Sequence, residues 1–217
     1  NIAAMYMVDK QYGITDFAKG TIPEEEVKKR AREFVTMPVY LFGNSVVEPR
    51  KEKPRLTFEN IERGIVEMEK HVHCAPALIV IDYIQIMPIE KRTKRSEEVE
   101  EAVYRTRELC IGNQVPVLML AQATRGSREK KFKLPIPQES QHSSAIEQAP
   151  SIWMSGWKPK VTEVNSKDVE ILGHTIPITD ELLILGLYKQ WKAPSGFVFP
   201  MHFDYSSLEL RDMELNY

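Results

Sequence analysis

Residues 78–87 read LIVIDYIQIM, and this stretch decides the fold. The apolar run that leads into Asp82 starts at Ala77 and is uninterrupted, as in strands that are buried on both faces of a parallel sheet. A second such run, VPVLMLA, occupies residues 115–121. Two strands joined by a helical crossover form a βαβ unit, so we predict an α/β fold with a mainly parallel sheet. The crossover helix is predicted to be capped by Ser96, with an inward face of Val99, Ala102, Val103 and Leu109.

Two helices and a short strand are predicted upstream of this unit. Thr21 and Glu24 have the spacing of a capping box, and Pro23 is tolerated in the first turn of the helix that follows. Thr57 can cap the next helix, and Pro38–Phe42 is typical of a short buried strand. The inward-facing positions of the two helices are predicted to be Val27, Ala31, Phe34 or Val35, Ile61, Ile65, Met68 and Val72.

The last third of the chain has a different pattern. Val169–Leu172, Leu182–Tyr188 and Phe197–Phe203 predict antiparallel strands, with a hairpin turn at Ala193–Gly196. A long polar and basic stretch, from Thr124 to Gln141, precedes them, and at this length it is either functional or disordered. We therefore expect a parallel sheet flanked by helices, with antiparallel strands at the carboxyl-terminal end.

The composition is that of an ordinary globular protein. The chain has 217 residues, 42% hydrophobic and 28% charged, which suits one large α/β domain. A net charge of −2 excludes a uniformly basic nucleic-acid binder, so any such binding would depend on local basic segments. No apolar run reaches the roughly 20 residues that span a bilayer, and no signal peptide is visible, so no membrane partner is expected. Two cysteines give no disulfide framework, which favours a reducing cytoplasm.

Polar side chains follow the two predicted parallel strands where each strand ends. Asp82 follows the first apolar run, and Gln122 follows the second. Ligands of such sheets bind beyond the carboxyl ends of the strands. A carboxylate there can hold Mg²⁺ through water, and an amide can detect the γ-phosphate of a nucleotide by hydrogen bonding. An apolar strand that ends in Asp is common, so the prediction of a phosphate site depends on the pair.

Several stretches resemble the ATPase domain of DnaB-type hexameric replicative helicases. LIVIDYIQIM resembles the Walker B strand of that family, and VPVLMLAQATR is similar to its next strand. Ser143–Gln148 (SSAIEQ) is similar to the family's Ser-Gly-Ala-Ile-Glu-Gln, which lies just after a DNA-contacting loop. Tyr188–Gly196 resembles the hairpin that carries basic residues acting in trans. The order and spacing hold along nearly the whole chain, including Thr15–Gly20 and the opening Asn1–Ala4.

The resemblance implies a RecA-like P-loop NTPase core with the activity of an ATP-dependent DNA helicase. Such a motor couples ATP hydrolysis to translocation on single-stranded DNA during replication, with unwinding in the 5′-to-3′ direction. Asp82 would hold Mg²⁺, Gln122 would sense the γ-phosphate, and Lys189 would reach the nucleotide of a neighbouring subunit. ATP and Mg²⁺ are the implied cofactors. The implied partners are identical subunits in a hexameric ring, single-stranded DNA, and a primase or loader protein.

The resemblance also bears on the amino terminus. A phosphate loop of the form Gly-x-x-x-x-Gly-Lys-Ser/Thr would lie immediately before Asn1. A strand ending in the glutamate that activates the attacking water is expected near Lys10–Tyr12, where this chain passes from a helix directly to Gly13. We therefore expect residues 1–217 to form one motor domain, incomplete at its amino terminus and with a gap near residues 10–12. The alternative is a genuine deletion, which would remove the water-activating residue.

The basic hairpin departs from the family at one position. Lys189 matches the family's Lys, but Trp191 stands where an Arg is expected. An arginine finger contributes orders of magnitude to phosphoryl transfer, and Lys192 could replace it only in part. Alternatively, Trp191 packs the hairpin against a neighbour. Together with Gln141, His142 and Ser144, which also differ from the family motif, this suggests a divergent bacterial, viral or mobile-element relative acting in the cytoplasm.

Two basic segments are candidate DNA loops, because each follows a strand that bears a proposed phosphate-site residue. Such loops would contact the DNA backbone with little sequence preference, and Phe132 could stack on a base. Solvated charged loops are the alternative. His71, His73 and Cys74 are interpreted as structural residues at a helix end, since no second pair of metal ligands has suitable spacing. The proposed DNA-binding residues are Lys91, Arg92, Lys94, Arg95, Arg125, Arg128, Lys130, Lys131 and Lys133.

Two other functions fit the same residues. One is a RecA-type or clock-type ATPase that assembles on DNA or protein without unwinding. The other is a non-catalytic loading or assembly module, suggested by Trp191 and by the missing glutamate. Filaments in place of closed rings would favour the first, and nucleotide binding without turnover would favour the second.

Overall fold

The computed structural model describes most of the chain between Tyr12 and Met213. Residues 1–11 lie outside the described part. They include the helix expected before the proposed gap near residues 10–12, and residues 10 and 11 of that gap. None of the described helices is long and apolar enough to cross a membrane. The described ranges are 12–40, 57–87, 89, 94–123, 133–140, 144–163, 165–171 and 173–213.

Three helices precede the first strand. They are α1 (Ile14–Lys19), α2 (Glu24–Thr36) and α3 (Phe58–Val72). Val35 on α2 is 81% exposed whereas Phe34 is partly buried, so Phe34 takes the inward position left open by the sequence. The strand predicted at Pro38–Phe42 is wrong for its described part, because residues 38–40 follow α2 without regular structure. Residues 41 and 42 lie outside the described ranges.

One of the predicted helix caps is confirmed. The Thr57 side chain accepts a hydrogen bond from the Asn60 amide at 3.3 Å, at the start of α3. The capping box at Thr21 is wrong, since α2 begins at Glu24 with Pro23 as its N-cap. The Thr21 hydroxyl instead donates to the carbonyl oxygen of Asp16 at 3.2 Å, closing the end of α1.

The predicted βαβ unit is confirmed. β1 (Ile79–Ile81) pairs in parallel with β2 (Val117–Met119), and Ile79 lies opposite Val117. α4 (Arg95–Asn113) connects them. Lys94 is its N-cap, so the predicted cap at Ser96 is wrong and Ser96 lies within the first turn.

A first hydrophobic core lies between this parallel pair and the helices that flank it. The predicted inward faces of α3 and α4 are confirmed except at Val72, which is partly exposed at the end of α3. Burial of both strand faces is wrong for the described part of the chain, where Val80 is 55% and Leu118 is 50% exposed. The core cluster contains Phe58, Ile61, Ile65, Ile81, Ile84, Met87, Val99, Ala102, Val103, Leu109, Ala145 and Ile146.

The carboxyl-terminal third is antiparallel, as predicted. A four-stranded sheet has the order β3-β6-β7-β8, and β4 and β5 form a separate hairpin. The predicted hairpin is β6–β7, in which Ile184 pairs with Pro200. α5 (Ala145–Gln148) precedes β3, and α6 (Pro159–Thr162) follows it. The strands are β3 (Ile152–Trp157), β4 (Asp168–Ile171), β5 (His174–Pro177), β6 (Leu182–Gln190), β7 (Phe197–Asp204) and β8 (Glu209–Asp212).

A second core lies under the four-stranded sheet and includes Leu134, which directly follows Lys133, the last residue of the second basic segment. Gly186 on β6 allows Leu134 to approach the sheet. A Cβ at position 186 would lie 2.7 Å from Leu134 Cδ2 and 2.6 Å from Tyr188 Cε2. A buried side chain therefore anchors the chain immediately after the second basic segment. The other buried members are Trp157, Ile171, Ile176, Leu182 and Ile184.

Candidate functional site

Asp82 and Gln122 lie beyond the carboxyl ends of the parallel strands β1 and β2, at the same edge of the sheet. Asp82 directly follows β1, and Gln122 lies three residues beyond the end of β2. The ladder continues past the strands, because the Leu120 amide donates to the Ile81 carbonyl oxygen at 2.9 Å. The Ile84 amide in turn donates to the Leu120 carbonyl oxygen at 2.9 Å. Both residues are exposed at this edge. Their position just beyond the strand ends is the one predicted from the sequence.

Gln85 joins the two strand ends, and the sequence interpretation missed it. It lies in a short 3₁₀ turn, Ile84–Ile86, and is only 5% exposed. Its side-chain Nε2 donates to the carbonyl oxygen of Gln122, and the Gln122 amide donates to Gln85 Oε1, both at 3.2 Å. The signal for such a role was a single amide side chain within the apolar run IQIM, since a buried polar group needs partners.

The first basic segment is described only at its end. Lys94 is exposed at the N-cap of α4. The Arg95 guanidinium donates to the Gln85 carbonyl oxygen and forms an ion pair with Glu98. Arg95 is therefore held beside the turn that carries Gln85. Lys91 and Arg92 lie outside the described residues.

The second basic segment begins and ends on ordered structure. A β-bridge joins Ala123 to Ser140. Lys133 pairs with Glu163 at 2.7 Å and donates to the Thr162 carbonyl oxygen at 3.2 Å. Its side chain is 17% exposed. This placement makes Lys133 an internal anchor of the segment. Arg125, Arg128, Lys130, Lys131 and Phe132 lie outside the described ranges.

Lys189, on the hairpin, contacts the SSAIEQ motif. Its ammonium group donates to the carbonyl oxygens of Glu147 at 3.1 Å and Gln148 at 2.7 Å, at the end of α5. Lysine near a helix carboxyl terminus is favourable, because the last carbonyl groups lack helical partners. The structure thus brings together two motifs that lie about 40 residues apart in the sequence.

Near the end of β6, Tyr188 packs against an aromatic side chain on β3, whereas the residues that follow the strand are exposed. Tyr188 packs edge-on against Trp153, with 5.9 Å between ring centroids. Burial raises the pKa of the Tyr188 phenol, and the nearby Glu139 carboxylate adds to that rise. Trp191 is 79% exposed, so it does not pack the hairpin within the chain. Lys192 is exposed beside it.

The donor set at Asp82 suits a hard cation that keeps most of its own water. Across the described ranges, neither Asp82 nor the side-chain amide of Gln122 has a protein hydrogen bond or ion pair. Mg²⁺ is commonly held by one or two carboxylates together with water and phosphate oxygens, so a single exposed carboxylate fits it. No group of three or more His, Cys, Asp or Glu that could enclose a metal occurs in the described part. His73 ends α3 in a left-handed conformation, as expected for a structural position.

Comparison with known proteins assigns the family. The sequence model of the DnaB-like helicase C terminal domain matches residues 11–203. The chain belongs to this family. The resemblance stated from the motifs is confirmed. Both residues that the sequence singled out, Asp82 after β1 and Gln122 beyond β2, lie within the matched region.

Curated relatives of this DnaB-like chain are bacterial replicative helicases. It is 25% identical to the replicative DNA helicase DnaB of Mycoplasma pneumoniae over 192 residues, which is 87% of this chain and 37% of that protein. It is 32% identical to the replicative DNA helicase DnaB of Leifsonia xyli over 98 residues, 45% of this chain and 21% of the relative. The chain therefore spans well under half of these relatives.

Solved structures confirm the RecA-like fold. One solved ATPase domain superposes with a TM-score of 0.76 at 12% identity, covering 97% of this chain and 69% of that one. A DnaB-like replicative helicase, whose structure was described with its interactions with primase, gives a TM-score of 0.76 at 13% identity. That match covers 98% of this chain and 47% of the helicase. At these identities the likeness concerns the fold alone.

Proposed function

We propose that this chain is the motor domain of an ATP-dependent DNA helicase. The observation that carries the proposal is the placement of Asp82 and Gln122 at one end of the parallel pair, both exposed, with main chains fixed by a continuous ladder. Membership of the DnaB-like family and the bacterial replicative relatives support it. The motor would move along single-stranded DNA during replication, unwind in the 5′-to-3′ direction, and act in the cytoplasm.

In this proposal the chain supplies the metal side of a nucleotide site. Asp82 would hold a Mg²⁺ ion through water, and the Gln122 amide would donate to an oxygen of the γ-phosphate. Mg²⁺ supplies neutralisation of phosphate charge when it is bound with ATP. A phosphate loop and a water-activating glutamate outside the described residues would complete the site.

The remaining proposed partners follow from the hairpin and the basic segments. Lys189 and Lys192 would reach the nucleotide of the next subunit in a hexameric ring. The DNA-binding residues are proposed to be Lys91, Arg92, Lys94, Arg125, Arg128, Lys130 and Lys131 in direct contact, with Arg95 and Lys133 anchoring their segments. A primase or loader protein is the proposed partner of the complete ring, and one solved relative is described with primase.

A specific observation favours a second candidate, a non-catalytic assembly module. Lys189 is bonded to carbonyl groups of its own chain, and an exposed Trp191 occupies the position of the family's Arg. Such a module would bind nucleotide without turning it over. The two candidates differ in one measurable property, which is hydrolysis.

The test is ATP turnover by the complete protein that carries this chain. We expect turnover with Mg²⁺ that rises when single-stranded DNA is added. We expect a fall of at least about 100-fold in Asp82→Ala, because the hydrated Mg²⁺ would lose the carboxylate that holds it through water. Asp168→Ala is the matched control, an exposed aspartate at the start of β4. Nucleotide binding without turnover in the unaltered protein would select the assembly module.

A further inference from the structure

The side chain of Gln85 extends the parallel ladder after the strands have ended. Main-chain hydrogen bonds join β1 and β2 as far as Ile84 and Leu120. Beyond them, the Gln85 amide group donates to the Gln122 carbonyl oxygen and accepts from the Gln122 amide, each at 3.2 Å. A side-chain amide carries the same donor and acceptor as a peptide group. The Gln85 side chain thus makes the pair of hydrogen bonds to Gln122 that the main chain of one more paired strand residue would make.

Because Gln85 is buried, only a side chain that both donates and accepts can make these two hydrogen bonds. Gln85 is 5% exposed, next to Ile84 and Met87 in the first hydrophobic core. A buried amide is tolerated only when its donor and acceptor are satisfied, and both are satisfied here by one residue. A carboxylate could not donate, and an aliphatic side chain could do neither. Arg95 further fixes the turn by donating to the Gln85 carbonyl oxygen.

We propose that Gln85 is a positioning residue that sets where the Gln122 side chain lies relative to Asp82. This inference depends on the proposed function, in which Gln122 detects the γ-phosphate. Both polar groups of the Gln122 main chain are held by Gln85, while the Gln122 side chain is left exposed for ligand.

The test compares Gln85→Leu with the unaltered complete protein in steady-state ATP turnover. We expect kcat to fall by about tenfold or more while KM for ATP changes by less than about threefold. This is the pattern for a hydrogen bond that strengthens in the transition state, where charge spreads over the γ-phosphate oxygens. DNA stimulation of turnover should be lost to a similar extent. Thr106→Val is the matched control, because it removes a buried side-chain hydrogen bond, to the Ala102 carbonyl oxygen at 2.8 Å, away from the site.

A second variant separates positioning from folding. Gln85→Glu has nearly the same shape, and in its protonated form it can again donate to the Gln122 carbonyl oxygen and accept from the Gln122 amide. Burial raises the pKa of a carboxyl group, and the Arg95 guanidinium at the Gln85 main chain opposes that rise. The protonated form should therefore become more populated as pH is lowered from about 8 through the range in which the protein stays folded. We expect its kcat, relative to the unaltered protein at each pH, to recover on acidification.

The outcomes distinguish this proposal from the function on which it rests. No DNA-stimulated turnover by the unaltered protein would overturn both. Turnover by the unaltered protein, together with a kcat in Gln85→Leu equal to that of Thr106→Val, would overturn the positioning role alone. So would a relative kcat of Gln85→Glu that does not change with pH, measured where urea unfolding shows both proteins to be folded.

Discussion

The ammonium nitrogen of Lys189 lies 2.7 Å from the carbonyl oxygen of Gln148. This hydrogen bond joins the hairpin to the last turn of α5, within the motif that resembles the family signature. A lysine that acts on a neighbouring subunit would have to exchange these carbonyl groups for phosphate oxygens. In the proposed ring, subunit assembly would therefore release this contact with α5. Glu147 of α5 also accepts a hydrogen bond from the Gln138 side chain, in the polar stretch that precedes α5.

The first prediction concerns this hydrogen bond. Lys189→Met should lower the free energy of unfolding by about 1 kcal/mol, because two carbonyl groups lose a charged donor at a partly exposed position. Lys192→Met, in which an exposed lysine of the same hairpin is replaced, should change it by less than about 0.5 kcal/mol. Urea unfolding of both variants measures the difference. Equal stability of the two variants would show that the bonds from Lys189 to α5 contribute nothing.

The second prediction concerns the basic segment. Lys130→Gln combined with Lys131→Gln should weaken binding to single-stranded DNA and reduce the slope of log K against log salt by about 0.7 for each phosphate that is no longer neutralised. Lys133→Gln should change the slope less, because Lys133 already pairs with Glu163 at 2.7 Å. Fluorescence anisotropy across a salt series measures both slopes. A larger effect for Lys133→Gln would reverse the assignment of anchoring and DNA-binding residues.

The third prediction concerns the packing of Leu134 on the sheet. Gly186→Ala should destabilise the protein by about 1–3 kcal/mol, because the new methyl group would lie 2.6 Å from Tyr188 Cε2 and 2.7 Å from Leu134 Cδ2. Gly112→Ala has the opposite expectation. Gly112 is exposed within α4, nothing lies within 4 Å of its Cβ position, and alanine favours the helix by roughly 0.5–1 kcal/mol. Thermal unfolding should show a lower melting temperature for Gly186→Ala and a higher one for Gly112→Ala. A higher melting temperature for Gly186→Ala would contradict the close packing of Leu134 and Tyr188 against Gly186.

The fourth prediction is a pH dependence at the β7–β8 turn. Hydrogen bonds from the Ser206 hydroxyl and the Ser206 amide, at 2.6 and 2.8 Å, hold the pKa of Asp204 well below its usual range. Because the folded pKa is lowered, this stabilisation is present above the unfolded value of about 3.9 and is lost as pH falls towards the folded pKa. Asp204→Asn should therefore be less stable than the unaltered protein near neutral pH. Urea unfolding near neutral pH and again well below the unfolded pKa should show the difference shrinking, and a constant difference would contradict the assignment.

The elements predicted from the sequence are those whose side chains repeat with the helix or strand period. The inward faces of α3 and α4 and the β6–β7 hairpin belong to this class, because burial selects apolar residues at regular spacing. β8 could not be predicted, since Glu209–Asp212 is polar and exposed and becomes a strand only by pairing with β7. The exposure of Val80 on β1 was not predicted, because an apolar sequence pattern does not indicate which elements pack against each face of a strand.

The placement of the candidate residues at one sheet edge was predictable, whereas most of the hydrogen bonds around them were not. Asp82 and Gln122 were identified because strand order places both at one sheet edge. The ion pair of Lys133 with Glu163, and the bonds from Lys189 to α5, join residues about 30 and 40 positions apart, which no local pattern encodes. Gln85 was overlooked although it lies three residues after Asp82, because its partner is a main-chain group on another strand.

The central claim is that the complete protein unwinds DNA with ATP, and strand displacement on a forked duplex tests it most directly. We expect a displaced strand only with ATP and Mg²⁺, only when a 5′ single-stranded tail is available, and none with Asp82→Ala, while Asp168→Ala matches the unaltered protein. Absence of any ATP-dependent product from the unaltered protein, or an equal product from Asp82→Ala, would contradict the claim.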